Sequence, residues 1–351
     1  MAIHMRIPLV PDQRDSRWEL LGKILNIFDL RKTKTIVARH ISPLKSIITS
    51  LKIVTTSMFF STTISHVLDE LSKKDLRDFM KIKEDEIPKK GYIYSLLSKF
   101  NLNQFINMIL RILNSVCKKR ARNTRIIVDC TDVSLDINYF RKPVRQKDLE
   151  GKDYRWGYSS KGMFLGMKLT LVLEYPSLRP LIFLLHPANK HESKIYPEVM
   201  DELKRRRILK KRDVIIFDRG FYAYKNYLIG MKYRVVPLIF PRDNFNLDRL
   251  DGLMSYPLNL FDSKNLEKEK ELFIKLKAKL MNFLSKWTGF KPVRSVIEDV
   301  FKVCKSMGLR NLHRYSMRSV YKYTVVNVLL IGMVVAVGIR EKRVLQRLAE
   351  M

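Results

Sequence analysis

The first third of the chain repeats apolar residues at the spacing of amphipathic helices. In segments such as SMFFSTTISHVLDELSKKDLRDFM, apolar residues recur every three or four positions with polar residues between them. This spacing places the apolar side chains on one face of a helix. Residues 1–122 are therefore predicted to form a helical N-terminal region.

The end of this region carries two predicted helices and a cluster of cations. The stretch KKGYIYSLLSKFNLNQFINMILRILNSVCKKR is broken near Asn101–Asn103, where Asn103 is expected to cap the second helix. Four cations follow the pair, namely Lys118, Lys119, Arg120 and Arg122. Two short helices with basic flanks fit a helix-turn-helix reader of DNA. A helical bundle with basic ends fits them equally well, and the pattern leaves both interpretations open.

From Thr124 the pattern changes to short apolar runs rich in β-branched residues. Five strands are predicted, namely RIIVDC, MFLGMKLTLVLEY, LIFLLHP, VIIF and YRVVPLIF. Helices are predicted at Ser193–Arg207 and Tyr222–Met231, so three antiparallel strands precede alternating helices and strands. This order predicts a mixed α/β sheet of five strands flanked by helices, and it resembles the ribonuclease H-like fold. Residues 242–290 are polar, charged and partly helical, like an insertion before the final helices.

Charge narrows the class of partner. The chain has 67 Lys and Arg against 35 Asp and Glu, a net charge of +32. Such a molecule attracts polyanions, and nucleic acid is favoured over an anionic membrane or a ribosomal site. The three cysteines Cys117, Cys130 and Cys304 form no zinc or disulfide pattern. The apolar run Thr324–Ile339 is shorter than a membrane span and predicts a buried core helix. We therefore expect a cytoplasmic protein without a membrane partner.

Three acids occupy comparable positions in predicted elements. Asp129 ends RIIV and Asp218 ends VIIF, where buried strands emerge at the edge of the sheet. On the predicted helix KPVRSVIEDVFKVCKSMGL, Arg294, Glu298 and Lys305 fall within an arc of about 40° beside the apolar face. Each acid also has a simpler interpretation, as a loop residue, a helix cap or part of an i,i+4 pair. Asp132 is the rival of Asp129, which is preferred because it ends the apolar run.

Carboxylates that converge at one sheet edge repel one another unless a cation neutralises them. Hard oxygen ligands favour Mg²⁺ or Mn²⁺, and a pair of such ions supports in-line displacement at phosphorus. The set Asp129, Asp218 and Glu298 therefore predicts a catalytic metal site in a basic protein that acts on nucleic-acid phosphodiesters. The sequence has no glycine-rich phosphate loop that would indicate an NTPase.

Three segments of the chain resemble the signature segments of DDE transposases from prokaryotic insertion sequences. These are VDCT with Asp129, FDRGFY with Asp218 and RSVIEDVFKVCK with Glu298, within residues 124–320. One branch of that family carries a tyrosine, arginine, glutamate and lysine signature separated by two, three and six residues. Arg294, Glu298 and Lys305 match this spacing, whereas Lys291 stands at the tyrosine position.

The resemblance implies a fold, a chemistry and partners. It implies a ribonuclease H-like catalytic domain at residues 123–241 and 291–351, with an insertion at 242–290, after a DNA-binding region at 1–122. It also implies two Mg²⁺ or Mn²⁺ ions at the three acids, with Arg294 and Lys305 on the phosphates of the transposon ends. The expected activity is cut-and-paste transposition of double-stranded DNA by a homodimer that binds terminal inverted repeats. A decayed DNA-binding protein and another ribonuclease H-like nuclease are the alternatives.

Further positions are candidates for DNA contact or local structure. The run KRRRILKKR predicts a phosphate-binding patch or a solvated helix end, with the cations Lys204, Arg205, Arg206, Arg207, Lys210, Lys211 and Arg212. Arg219, beside Asp218, is a further candidate. Trp156 and Trp287 either pack in the core or stack on an extruded base. Ser193 is expected to cap a helix, and Gly220 to let the chain turn sharply after Asp218.

Overall fold

The computed structural model describes residues 8–12, 14–40, 44–99, 101–117, 124–137, 149–159, 162–254, 266–310, 312 and 317–350. The four cations at 118–122 that flank the predicted helix pair lie outside these residues. The chain divides into two compact units. The helical unit comprises Met1–Lys119, Val133–Tyr154 and Asp299–Met351. The sheet unit comprises Arg120–Asp132 and Arg155–Glu298.

The elements are labelled in chain order. The helices are α1 Ser16–Asp29, α2 Arg31–Ala38, α3 Leu44–Phe59, α4 Ile64–Glu70, α5 Lys74–Met80, α6 Lys90–Lys99, α7 Leu102–Val116, α8 Glu192–Arg205, α9 Tyr224–Lys232, α10 Leu247–Leu253, α11 Leu266–Ser285, α12 Lys291–Cys304, α13 Met317–Ala336 and α14 Lys342–Glu350. The strands are β1 Arg125–Ser134, β2 Arg155–Ser159, β3 Gly162–Tyr175, β4 Pro180–Pro187, β5 Val214–Phe217 and β6 Val236–Ile239.

The helical unit is built around α13. This helix contains most of the apolar run that the sequence singles out, and it packs against α1, α3 and α7. Helix α13 is long and apolar enough to span a membrane, but 78% of its most apolar 18-residue stretch is buried inside the protein. The helix is apolar on every face because it is buried on all sides. It is therefore a core helix, as the sequence predicted.

The two-helix segment of this unit matches the sequence except at its cap. The N-cap of α7 is Asn101, whose Oδ1 accepts the backbone N–H of Asn103 at 2.9 Å. The prediction that Asn103 caps this helix was therefore wrong. The apolar face of α7 is buried at Phe105, Ile109 and Leu113, so this face serves the core and the remaining face is open to solvent.

The sheet unit confirms a mixed α/β sheet flanked by helices, with six strands rather than five. The order is β2-β3-β1-β5-β6, and β4 also pairs with β3. The additional strand is β2, which pairs with Gly162–Gly166 while β4 pairs with Met167–Leu173 on the same long strand. The sequence RWGYS gave no signal for β2, because none of its residues is fully buried and it has no run of apolar residues.

The parallel strands β1, β5 and β6 form one side of the sheet, with β6 at its edge. Ile126, Val128, Ile215 and Leu238 are fully buried in one core with the apolar face of α8. The helix α11, from the segment predicted as an insertion, contributes Phe273, Leu276 and Leu280 to the same core. That segment is helical in its described part, as expected, and its long helix completes the packing over β6.

Candidate active site

The parallel register of β1 and β5 places two acids side by side. Val128 pairs with Phe217, the last matched positions of the two strands. Asp129 and Asp218 each follow by one residue, so both side chains leave the same edge at neighbouring positions. The sequence predicted that each aspartate ends its strand, which holds for Asp218 after β5. Strand β1 continues to Ser134, so Asp129 lies within β1, and the buried strands hold both backbones in place.

The third acid comes from α12. Pro292 stands in the first turn of this helix, where a missing N–H costs nothing, and Ile297 and Val300 bury its apolar face. Glu298 lies one turn after Arg294 and pairs with it. The side chain of Glu298 is 49% exposed and that of Arg294 only 18%, so the arginine lies on the inner side.

Arg294 joins the three acids. Its Nη2 donates to Asp129 Oδ2 at 2.8 Å and lies 3.5 Å from Asp218 Oδ1, while Nη1 donates to Glu298 Oε1. Burial disfavours the charge of the guanidinium, but the three carboxylates outweigh burial and raise the pKa of Arg294. The three predicted acids therefore converge on a single cation.

Asp129 is the most strongly perturbed member of the site. Its side chain is 7% exposed, and burial raises the pKa of its carboxyl to about 8. Arg294 and the N–H of Cys130 oppose this rise in pKa, whereas Asp218 and Glu192 add to it. A carboxylate in such a position favours the proton, or another cation, over the bare charge.

The local alternatives for these aspartates do not describe the structure. Asp218 precedes a short 3-10 turn at Arg219–Phe221, but its side chain makes no capping hydrogen bond. Asp132 lies three residues beyond Asp129 on β1, so it points to the opposite face of the sheet. The aromatics after Asp218 pack as the sequence suggested, with Phe221 fully buried against Phe217.

The donor set fits a divalent cation, although its present partner is the guanidinium. Three carboxylates, one on β1, one after β5 and one on α12, are hard oxygen ligands of the kind that Mg²⁺ and Mn²⁺ prefer. Among the described residues, no three acidic, His or Cys side chains lie close enough to one another to hold a metal ion. Arg294 stands between them, so a metal would take over charge compensation that the arginine now provides.

A cleft of about 690 Å³ opens beside Asp218 and Arg294. Its aromatic wall is formed by Phe240, Phe245 and Trp287, and its cations are Arg219, Arg242, Lys291 and Arg294. The ring centroids of Phe240 and Trp287 are 5.2 Å apart. Lys291 Nζ lies 4.7 Å from the centroid of Trp287. The cleft thus combines flat apolar surface with positive charge, which suits a nucleotide.

Several of these residues were not candidates in the sequence. Phe240 and Arg242 follow β6 directly, and the end of a third parallel strand was the signal that could have found them. Lys291 was noted only because it replaces a tyrosine. Trp287 was expected in the core or on a base, and it is half-buried with part of its ring lining the cleft. Trp156 is half-buried on β2 and does not line it.

The basic run Lys204–Arg212 lies at the opposite end of β5 from Asp218. It extends from the end of α8 to the residue before Asp213 and β5, whereas Asp218 follows the end of β5. One strand length, about 13 Å, therefore separates this run from the acids. Arg205 and Arg206 pair with Glu202. Lys204, Arg207, Lys210, Lys211 and Arg212 are exposed.

Lys305 and Arg219 have different settings. Arg219 is exposed at the rim of the cleft. Lys305 belongs to the helical unit, where it begins the π-helical turn Lys305–Leu309 after α12. The ideal helix predicted through Lys305 ends at Cys304, so the predicted position of Lys305 beside Arg294 and Glu298, which assumed 100° per residue, does not apply.

Two local predictions near the site were wrong. The cap of α8 is His191, not Ser193, because His191 Nδ1 accepts the N–H of Ser193 at 3.3 Å. Gly220 is not required for a left-handed turn, since its φ is not positive. A glycine is required there for space, because a Cβ atom would lie 1.6 Å from Glu192 Oε2.

The three acids lie in a part of the chain that matches a known protein family. A family model described as a transposase DDE domain matches residues 120–331, which is more than half of the chain. The chain is also similar to the piggyBac transposase in a cryo-EM structure of its synaptic complex with hairpin DNA. That likeness has 10% sequence identity and a TM-score of 0.45, and it covers 97% of this chain and 80% of the other. No curated protein matches the chain.

Proposed function

We propose, because this chain belongs to the transposase DDE-domain family, that it is the DNA transposase of an insertion sequence. It binds the terminal inverted repeats of its element, hydrolyses phosphodiester bonds there and joins the freed 3′-hydroxyl to target DNA. The observation that carries this proposal is the convergence of Asp129, Asp218 and Glu298 on one cation at the edge of the sheet.

Asp129, Asp218 and Glu298 would hold two Mg²⁺ or Mn²⁺ ions. Bound there, such ions activate a water or a 3′-hydroxyl and stabilise the leaving oxygen. The chain supplies rigidity, since Asp129 lies within buried β1, Asp218 follows buried β5 and Glu298 stands on a packed helix. It also holds Asp129 in a buried position that raises the pKa of its carboxyl, so the charged carboxylate needs a cation beside it.

Arg294 has two successive roles in this proposal. Without DNA it compensates the carboxylates, as its contacts with all three indicate. If the acids held a divalent cation, Arg294 would no longer be needed to compensate them, and from the cleft that it lines it would be available to a phosphate of the transposon end. Lys305 and Arg219 bind further phosphates of that end.

The cleft beside the acids would take DNA next to the scissile bond. Its aromatic wall presents flat surface for a base, and Arg242 and Lys291 present charge for the backbone. The basic run Lys204–Arg212 lies too far from the acids to contact the same phosphates. We therefore propose that it binds DNA distant from the cleavage point, either flanking or target sequence.

We propose the remaining features from the resemblance to DDE transposases. The catalytic domain is ribonuclease H-like and comprises residues 123–241 and 291–351, with an insertion at 242–290, and residues 1–122 bind DNA. The chain belongs to the branch with the signature helix, with Lys291 in place of the tyrosine. It acts as a homodimer on two ends, by cut-and-paste, in the cytoplasm of a prokaryote at the nucleoid.

A cleavage assay tests the proposal. The substrate is a supercoiled plasmid that carries the genomic segment encoding this chain with its flanks, incubated with Mg²⁺ or with EDTA. The wild type should release the segment only with Mg²⁺, and Asp218→Asn and Glu298→Gln should bind the ends without cutting them. Asp132→Asn, on the opposite face of β1, is the matched control and should cut normally.

The same assay separates the alternatives. A decayed DNA-binding protein would retard the ends in a gel and cut nothing under either condition. A ribonuclease H-like nuclease without transposition would cut but leave no joined products with target DNA. Cutting by the Asp218→Asn protein at the wild-type rate would refute the assignment of the site.

A further inference from the structure

A fourth carboxylate lies against the turn that follows Asp218. Glu192 is the first residue of α8, and its side chain fills the position that a Cβ atom of Gly220 would occupy. Its Oε2 is only 1.6 Å from that position and its Cδ is 2.8 Å away. Any residue other than glycine at position 220 would therefore displace this carboxylate.

Lys168 fixes the other oxygen of Glu192. Its Nζ lies 3.4 Å from Glu192 Oε1 and donates to the backbone carbonyl of Lys190 at 3.1 Å. The side chains of Lys168 and Glu192 are 17% and 22% exposed. The carboxylate is thus held between β3, the start of α8 and the turn after β5.

The charge of Glu192 acts on the neighbouring end of β1. It raises the pKa of Asp129 and the pKa of the Cys130 thiol, each in addition to the effect of burial. Cys130 contacts β3, the strand that carries Lys168, because its Sγ lies 3.1 Å from Thr170 Oγ1. The Glu192 carboxylate also lies against Gly220, two residues after Asp218, so its charge bears on whatever cation the site holds.

We propose that Glu192 is a positioning residue of the carboxylate site, which strengthens divalent cation binding by its charge, and that residue 220 is glycine in order to admit it. The proposal rests on the proposed function, since it concerns the metal of that site. Lys168 keeps Glu192 in place, and Glu192 in turn packs under the turn that carries Asp218.

A purely structural role makes a different prediction. A glutamate at the first position of a helix also stabilises the helix through the favourable field of the helix N-terminus. In that case its removal would lower stability and leave metal affinity unchanged. Metal affinity is therefore the quantity that distinguishes the two roles.

Isothermal titration of the full-length protein with Mn²⁺, without DNA, tests the proposal. Glu192→Gln keeps the shape of the side chain and removes its charge, and it should raise the Kd for Mn²⁺ by about 3- to 10-fold. Glu198→Gln, on the same helix but paired with Lys190, is the matched control and should bind as the wild type does. Circular dichroism and thermal unfolding report the fold of each variant.

Gly220→Ala provides an independent test of the contact between Gly220 and Glu192. With Glu192 present, the added methyl displaces the carboxylate and should weaken Mn²⁺ binding as much as Glu192→Gln does. With Glu192→Ala in the background, the methyl meets no carboxylate, so Gly220→Ala should then have little further effect. Additive effects of the two substitutions would overturn the proposal.

Other outcomes are equally decisive. Wild-type Mn²⁺ affinity in a folded Glu192→Gln protein would leave only the structural role and overturn the inference, while the metal site itself would stand. If Asp218→Asn bound Mn²⁺ as the wild type does, or the wild type bound none, the metal site would fall and this inference with it.

Discussion

Arg294 Nη2 donates to Asp129 Oδ2 at 2.8 Å, across 165 residues of sequence. This contact puts a permanent cation where the family chemistry calls for divalent metal. It also connects a helix near the end of the sheet unit with the first strand of the sheet. A buried carboxylate and a mostly buried guanidinium depend on each other, because either alone would be an uncompensated charge.

Arg294→Ala should therefore destabilise the metal-free protein. Removal of the guanidinium leaves three carboxylates without their shared cation, and we expect the free energy of unfolding in EDTA to fall by about 2–4 kcal/mol. Added Mg²⁺ should recover much of this loss, because metal replaces the missing charge. Urea unfolding with and without Mg²⁺ measures both effects. Arg219→Ala, exposed at the rim, should leave the stability in EDTA unchanged, and equal stability of Arg294→Ala and wild type would contradict the prediction.

Trp287→Ala should weaken DNA binding more than it weakens the fold. The ring is half-buried, packs on Phe240 and lines the cleft, so its loss removes a stacking surface worth about 1–3 kcal/mol per base. Fluorescence anisotropy with a labelled end duplex should show a rise in Kd. The control is Tyr158→Ala, an aromatic that is 80% exposed on β2 and away from the cleft lining. If both variants bind DNA as tightly as the wild type, the cleft is not a DNA site.

Asn327→Leu should destabilise the helical unit. Asn327 is fully buried in α13, and its Nδ2 donates to the carbonyls of Cys304 at 3.2 Å and Met307 at 2.8 Å. These carbonyls border the π-helical turn where regular hydrogen bonding fails, so we expect a loss of about 2 kcal/mol. Thr324→Val, which removes a bond within the same helix, is the control and should cost less in thermal unfolding. An equal cost would show that the two carbonyls do not need Asn327.

Because His186 resists protonation in the folded protein, the free energy of unfolding should fall on mild acidification. Burial, together with the charges of Lys190 and Lys168, lowers the pKa of His186 to about 4, and Glu198 opposes this shift. Between pH 6.5 and 4 the unfolded chain takes up a proton that the folded chain refuses, so stability is lost as the pH falls. The expected contribution is about 2–3 kcal/mol. Urea unfolding at pH 7.5 and 4.5 measures it.

His186→Gln is the variant that isolates this contribution. It cannot titrate, and it should lose less stability than the wild type over the same interval. The same loss in both proteins would mean that His186 takes no part in the pH dependence.

The sequence anticipated much of the local structure. The helices of the first third, the central strands and the core helix α13 agree with their hydrophobic periodicity, since spacing reports which face of an element is buried. The edge strand β2 was missed because an edge strand needs few apolar residues. The caps at Asn101 and His191 were each assigned to a residue two positions later, because capping depends on backbone angles that residue type alone does not give.

The sequence by itself determined which residues could form the site. Asp129 and Asp218 stand at the ends of apolar runs, and Arg294 and Glu298 are one helical turn apart. Both features can be seen from the local spacing of residues in the sequence. Only the tertiary structure decided how their charges meet. The parallel register of β1 and β5 sets the two aspartates side by side, the packing of α12 brings Arg294 between them, and Gly220 makes room for Glu192. Electrostatic interactions depend on distances between atoms, and those distances are set by the packing of elements that are remote in sequence.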